Sequence, residues 1–223
     1  MSRSAMIVSL LLFGLVLPEQ AQAKEKWERI MNEEGIRVWR RSVEGSSLLH
    51  FRGRAVIRAP LAKVIAVISG ADRLCEWRSH CVKAYRLAEA TGDRQHVYYR
   101  VESPAPFVAD RDVVVDATCQ RHGAGGVKCP FKSVSHPKDP APKDAVRMPK
   151  LKGYWQLVPK GDGATEATYE VVADPGGWIP KWLANLASKK LPFKALQGLR
   201  RQVKVDYSAS EARIAAKLAR LGL

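Results

Sequence analysis

From residue 36 to residue 173 the chain is a succession of short segments in which apolar side chains occupy every second position, separated by clusters of glycine, proline and polar residues. Successive side chains of a strand point to opposite faces, so this period describes a sheet with one buried face. The segments fall at 36–40, 48–57, 82–88, 95–102, 112–120, 127–135, 146–158 and 165–173. Thr91-Gly92-Asp93, His122-Gly123-Ala124-Gly125-Gly126 and Lys160-Gly161-Asp162-Gly163 supply turns between them, which predicts an antiparallel meander. Helical period appears on either side of these segments and once among them, between the second and third. Residues 24–32 read as a short first helix, and Pro60 opens a second in which Leu61, Val64, Ile65 and Ile68 share a face before Gly70 ends it. After Asp174-Pro175-Gly176-Gly177 a long helical stretch carries Trp182, Leu183, Leu186, Leu196, Leu199 and Val203, with Pro192 inside it. Proline removes a backbone donor and clashes with the preceding turn, so a break is expected near Leu191. The fold class is α+β. A curved antiparallel sheet facing a C-terminal helix either fills the space between with large side chains or leaves a cavity.

Ahead of this domain, Ser2-Arg3-Ser4 precedes a twelve-residue apolar run from Met6 to Leu17 and the small-residue pattern Ala21-Gln22-Ala23. The run falls short of the roughly 20 residues that span a bilayer, so residues 1–23 read as a signal peptide cleaved after Ala23, and the protein as exported to a periplasm or secreted. An uncleaved anchor is the alternative, because the first segment carries a single arginine. In an oxidising compartment Cys75, Cys81, Cys119 and Cys129 can form disulfides. Cys119 and Cys129 are equidistant from Ala124, so a hairpin centred there places them opposite each other and predicts that bridge. Cys75 and Cys81 can close a second small loop, and neither pair has the Cys-x-x-Cys spacing of a zinc site. No metal is expected.

The 37 Lys and Arg against 22 Asp and Glu leave a net charge of +15. Such a surface attracts polyanions. Export argues against nucleic acid and for an anionic membrane surface, while a generally basic solubilising surface is the plainer alternative. Residues 208–223 form a tail in which Ile214, Leu218 and Leu221 alternate with Arg213, Lys217 and Arg220. This amphipathic helix can lie on a membrane or pack on its own domain, and the second reading is preferred. Catalytic patterns do not emerge. His50, His80, His96, His122 and His136 are isolated in the sequence, and no nucleophile elbow or phosphate-binding loop is present. No catalytic residue or cofactor is assigned.

Five motifs then occur in order. They are Cys75-Glu76-Trp77; Val97-Tyr98-Tyr99-Arg100 leading to Pro104-Ala105-Pro106-Phe107; Asp110-Arg111-Asp112-Val113-Val114; Gly153-Tyr154-Trp155-Gln156-Leu157; and Tyr169 through Asp174-Pro175-Gly176-Gly177-Trp178-Ile179-Pro180-Lys181-Trp182-Leu183. In these the chain resembles the START (StAR-related lipid-transfer) domains, in particular exported bacterial members, over residues 24–207. The resemblance implies a helix-grip fold, a curved antiparallel sheet around a long C-terminal helix that acts as lid over a tunnel for one lipid. It also implies a gate in the loop 103–110, with Phe107 and Val108 as its apolar residues, to which Trp178 is added from the later motif.

Alternation assigns the cavity wall. Val97, Tyr99 and Val101 face inward from one strand, and Val113, Val115, Ala117 and Cys119 from the next. Trp155 and Leu157, then Ala167, Tyr169, Val171 and Ala173, continue it, and Trp77 with Trp182, Leu183 and Leu186 are expected to close it. Sterol-transfer members carry a buried charged pair where this chain has Tyr99 and Ala117, which argues against a sterol. The expected function is non-enzymatic binding of one hydrophobic lipid by a monomer, with transfer between membranes. The alternatives are a cyclase, aromatase or hydrolase on the same fold, or a lipid sensor that does not transfer.

Overall fold

The pleat places the predicted segments in one sheet. The computed structural model describes residues 26–222 apart from 88–93, 104–106, 124, 140, 162 and 221. The expected signal peptide, the Thr91-Gly92-Asp93 turn and Pro104-Ala105-Pro106 therefore lie outside the described residues. The elements are β1 (Glu28–Glu33), β2 (Ile36–Val43), β3 (Ser46–Ile57), α1 (Leu61–Ser69), a 3-10 turn (Ala71–Glu76), β4 (Cys81–Leu87), β5 (Arg94–Val101) and β6 (Asp110–Thr118). They continue with β7 (Gln120–His122), β8 (Gly126–Ser133), β9 (Ala145–Arg147), β10 (Lys150–Lys160), β11 (Ala164–Asp174), α2 (Lys181–Ser188), α3 (Leu191–Gln202) and α4 (Ser208–Arg220). The strand order is β1-β2-β3-β11-β10-β8-β6-β5-β4, with β7 on β8 and β9 parallel to β6. Pairing β3 with β11, more than a hundred residues away, joins the two halves of the meander.

Two sequence expectations are corrected here. Residues 28–33 form a strand, not a helix. Glu34 and Gly35 both take positive φ, 52° and 67°, and make the two-residue turn that pairs Glu33 with Ile36. An isolated helix of nine residues is marginal, whereas as β1 the segment gains β2 as a partner and packs Ile30 and Met31 against the core. The single strand expected at 146–158 is divided at Met148-Pro149. β9 pairs with β6, the Met148 amide donates to the Asp112 carbonyl at 2.9 Å, and β10 starts afresh at Lys150 between β8 and β11.

The inner face carries the core, from Ile36 and Val38 on β2 through Phe51, Ala55 and Ile57 on β3 to Ala167, Tyr169 and Val171 on β11. α1 buries Leu61, Val64, Ile65, Ala66 and Val67 against this layer and stops before Gly70. α3 crosses β2, β3 and β11. It comes close because Gly53 has no side chain: a Cβ there would lie 2.7 Å from Pro192 Cβ and 2.8 Å from Leu196 Cδ1. α3 also holds the β1–β2 turn, since Gln197 Nε2 donates to the Glu34 carboxylate and Arg200 to the Glu34 and Gly35 carbonyls. The expected break at Pro192 is present, with α2 ending at Ser188 and Pro192 in the first turn of α3.

α4 packs on α1 with Leu218 buried and Ile214 half-buried, so the tail lies against its own domain. Both disulfides are formed, Cys119–Cys129 and Cys75–Cys81, with Cα separations of 4.0 and 4.7 Å. The β7–β8 register, Gln120 opposite Lys128 and His122 opposite Gly126, sets Cys119 across from Cys129.

The outer face carries the polar side chains of the same strands, yet part of it is covered. Residues 134–139 and 141–147 fold over β5 and β6, burying Tyr98 and Asp112. Tyr98 stacks on Tyr85 at 4.7 Å, and Arg147 donates to the Asp112 carboxylate at 2.7 Å. Further along, Glu170 accepts from Arg52 at 2.7 and 2.9 Å and from the Tyr154 hydroxyl at 2.8 Å. Trp27 stacks on the Arg52 guanidinium at 4.0 Å and completes this network.

Candidate ligand cavity

A cavity of about 110 Å³ lies on the inner face where β5, β6, β8, β10 and β11 meet the end of α1 and the 3-10 turn. Its wall is Val97 and Tyr99 of β5, Val115 and Ala117 of β6, Phe131 of β8, Trp155 of β10 and Tyr169 of β11. Ile68, Ala71, Leu74, Trp77 and Arg78 form its roof. Much of the interior is filled by rings. Trp155 lies 4.4 Å from Tyr169 and 6.3 Å edge-on from Trp77, and Phe131 stacks on Tyr169 at 5.8 Å. The cavity shares Ser69, Ala71, Gln95 and Cys119 with a wider groove of about 800 Å³ that runs between α1, α4 and the Cys119–Cys129 bridge. Those four residues are its mouth. Arg73, Arg86, Arg121, Arg213 and Lys217 line the groove against Asp72 and Asp206, so it is basic overall.

Trp77, Val97, Tyr99, Val115, Ala117, Cys119, Trp155 and Tyr169 all border the cavity. Val113, Leu157, Ala167, Val171 and Ala173 share its face but are packed in the core away from the open space, and Val101 packs half-buried against that core. The expectation for α2 is corrected. Trp182 and Leu186 are 67% and 59% exposed, Leu183 is half-buried, and none of the three reaches the cavity. α2 instead turns Ala184 toward Leu48 and Val172 in a separate small cluster with Ile179. Asn185 pins it there by accepting from the Leu49 amide and donating to the Ser47 carbonyl, both at 2.9 Å. A helical stripe names a face but not the layer it meets, which is why sequence period mislaid these residues. α3 likewise contributes no lining residue, so the roof is the segment 68–78 and not the C-terminal helix.

Of the gate residues, Phe107 is fully exposed with φ 62°, Val108 is half-buried and Trp178 is 73% exposed. Their two loops meet through Arg111, which donates to the Pro175 and Ala109 carbonyls. The histidines are isolated in the sequence, but His96 of β5 and His136 of the outer-face loop come ring to ring at 5.2 Å, and neither lines the cavity.

Like Ile68, Leu74 and Phe131, Arg78 lines the cavity without having been assigned to it from sequence. It follows the 3-10 turn inside the loop closed by Cys75–Cys81, where no period assigns a direction. The only available signal was that a formed bridge forces this short loop to fold back on the sheet. Arg78 Nη2 donates to the Tyr169 hydroxyl at 3.2 Å, and the guanidinium lies over the rings of Tyr169, Trp77 and Tyr99 at 5.3, 5.6 and 5.9 Å. Burial, opposed by Arg78, pushes the Tyr99 hydroxyl up to about 12, so it is a neutral group at pH 7. The Trp77 indole nitrogen is buried with no hydrogen-bond partner.

With this geometry in place, the START domain family model matches residues 16–205. An uncharacterized protein of Pseudomonas aeruginosa is 36% identical over 176 residues, covering 79% of this chain and 86% of that one. Mouse START domain-containing protein 10 is 27% identical over 180 residues, 80% of this chain and 61% of the relative. Among solved structures, a STAR-related lipid transfer protein fragment from Xanthomonas axonopodis superposes with a TM-score of 0.73 at 36% identity, covering 80% of this chain and 99% of that one. α4 begins at Ser208, beyond the family match.

Proposed function

The chain belongs to the START domain family, and on that premise we propose that it is an exported, non-enzymatic, monomeric carrier that takes one hydrophobic lipid into the inner-face cavity and passes it to or from an anionic membrane. The observation that carries this reading is the mainly apolar and aromatic lining of that cavity, together with a mouth opening on a basic groove. Apolar burial drives loading, at about 25 cal/mol per Å² removed from water. The space present, about 110 Å³, is below the roughly 300 Å³ at which ligand pockets begin. Loading therefore has to move something, and the roof over residues 68–78 is the part that borders the mouth.

Membrane docking is supported by the exposed stripe of Trp182 and Leu186 on α2, with Trp178 just before it and Lys181, Lys189 and Lys190 at the helix ends. Export is supported by the pairing of all four cysteines. Native mass spectrometry of the purified protein tests the core of the proposal: a lipid at one copy per chain is expected, and protein that neither carries nor takes up any lipid overturns it. Vesicle-to-vesicle transfer tests the rest, since a sensor would bind lipid without accelerating its exchange.

A further inference from the structure

Arg78 is the one charged side chain among the residues lining the cavity. An arginine keeps its proton at any ordinary pH, so the charge cannot be discharged by titration. Its neighbours are the Tyr169 hydroxyl and three aromatic rings, all uncharged, and among the described residues no carboxylate pairs with it. Elsewhere Arg52, Arg147 and Arg100 are matched with the carboxylates of Glu170, Asp112 and Asp110, and Arg200 and Arg111 with backbone carbonyls. In the cavity that match is missing, and next to it the Trp77 indole N–H is buried without an acceptor. A cation and an unused donor bordering one apolar space leave unmet the demand for an anion with hydrogen-bond acceptors.

We propose that the ligand is an anionic amphiphile whose carboxylate or phosphate head pairs with Arg78 inside the cavity, its hydrocarbon chain running along the apolar wall toward the mouth. The proposal rests on the lipid-carrier reading above and names the chemistry that this reading leaves open. The guanidinium fork can donate to either head in a two-bond contact, and the hydrogen bond to the Tyr169 hydroxyl together with the neighbouring rings of Tyr169, Trp77 and Tyr99 fixes its place. A zwitterionic or neutral head would leave Arg78 without a net counter-charge.

The test is calorimetric titration of delipidated full-length protein with chain-matched twelve-carbon ligands: laurate, dodecyl phosphate and methyl laurate. The wild type is expected to bind laurate or dodecyl phosphate roughly 10- to 100-fold more tightly than the methyl ester, the range of one charge-assisted contact, and whichever anion binds better identifies the head. Arg78→Gln is expected to lose that preference, bringing the affinities for acid and ester together, and Arg78→Lys to recover only part of it. Equal affinity of the wild type for acid and ester overturns the inference and leaves the carrier reading standing. No binding of any of the three overturns the carrier reading, and the inference with it. The wild-type ratio alone decides the matter should Arg78→Gln fail to fold.

Discussion

Glu170 shows how one residue of the outer face couples stability to pH. Burial alone would raise its pKa, but hydrogen bonds from His50, Arg52 and Tyr154 and the Arg52 charge outweigh it and hold the carboxyl at about 2 against a usual 4.5. A depressed carboxylate stabilises the fold fully above its unfolded pKa, and that contribution is lost as pH falls toward the folded value. It amounts to on the order of 3 kcal/mol. In urea titrations, wild type should therefore exceed Glu170→Gln by a constant margin above about pH 5, and the gap should close as pH approaches about 2. A margin unchanged down to that pH would contradict the assignment.

Gly198 makes a second residue-scale argument. A Cβ there would meet the Trp77 carbonyl oxygen at 2.2 Å, a backbone atom that cannot swing aside. Despite alanine's better helix propensity, Gly198→Ala should cost about 2 kcal/mol and lower the urea midpoint without changing the slope. At this scale the signal in the sequence was uneven. Trp77, Tyr99 and Tyr169 were legible as inward residues because the pleat or a motif carried them, whereas Arg78 was not, since irregular backbone gives its side chain no assigned side.

At the scale of elements, α2 was legible as a helix but not in its placement. Pro192 announced the break, and its effect is to let α2 part from α3 and sit at the end of β3 and β11. That leaves Trp182 and Leu186 facing solvent. Replacing both by serine should leave thermal stability within about 0.5 kcal/mol, as expected for exposed sites. It should weaken flotation with anionic vesicles by at least about tenfold, the scale of two lost apolar insertions. Unchanged flotation would remove α2 from the membrane-facing surface. β1 was misread for the reverse reason: its own residues favour a helix weakly, and the partner strand that overrides them lies beyond a two-residue turn. The hairpin carrying Cys119–Cys129 was legible because its turn and its spacing are both local.

For the whole molecule, a basic, twice-bridged domain encloses a small aromatic cavity whose mouth lies beneath a helix outside the family match. The interior is mostly occupied by its own rings, so the carrier reading depends on the roof at 68–78 yielding to a ligand, which the lipid-binding and transfer measurements test directly. The sequence by itself determined the α+β class, the segments that become most of the strands, the Cys119–Cys129 disulfide and which strand residues share the inner face. Each of these follows from periods and spacings that the chain carries within a few residues of itself. The tertiary structure alone decided that β3 pairs with β11, that a loop buries Tyr98 and Asp112 on the outer face, that α2 turns away from the cavity and that Arg78 enters it. Those outcomes depend on contacts between residues far apart in the chain, where the free energy of packing, not local geometry, selects the partner.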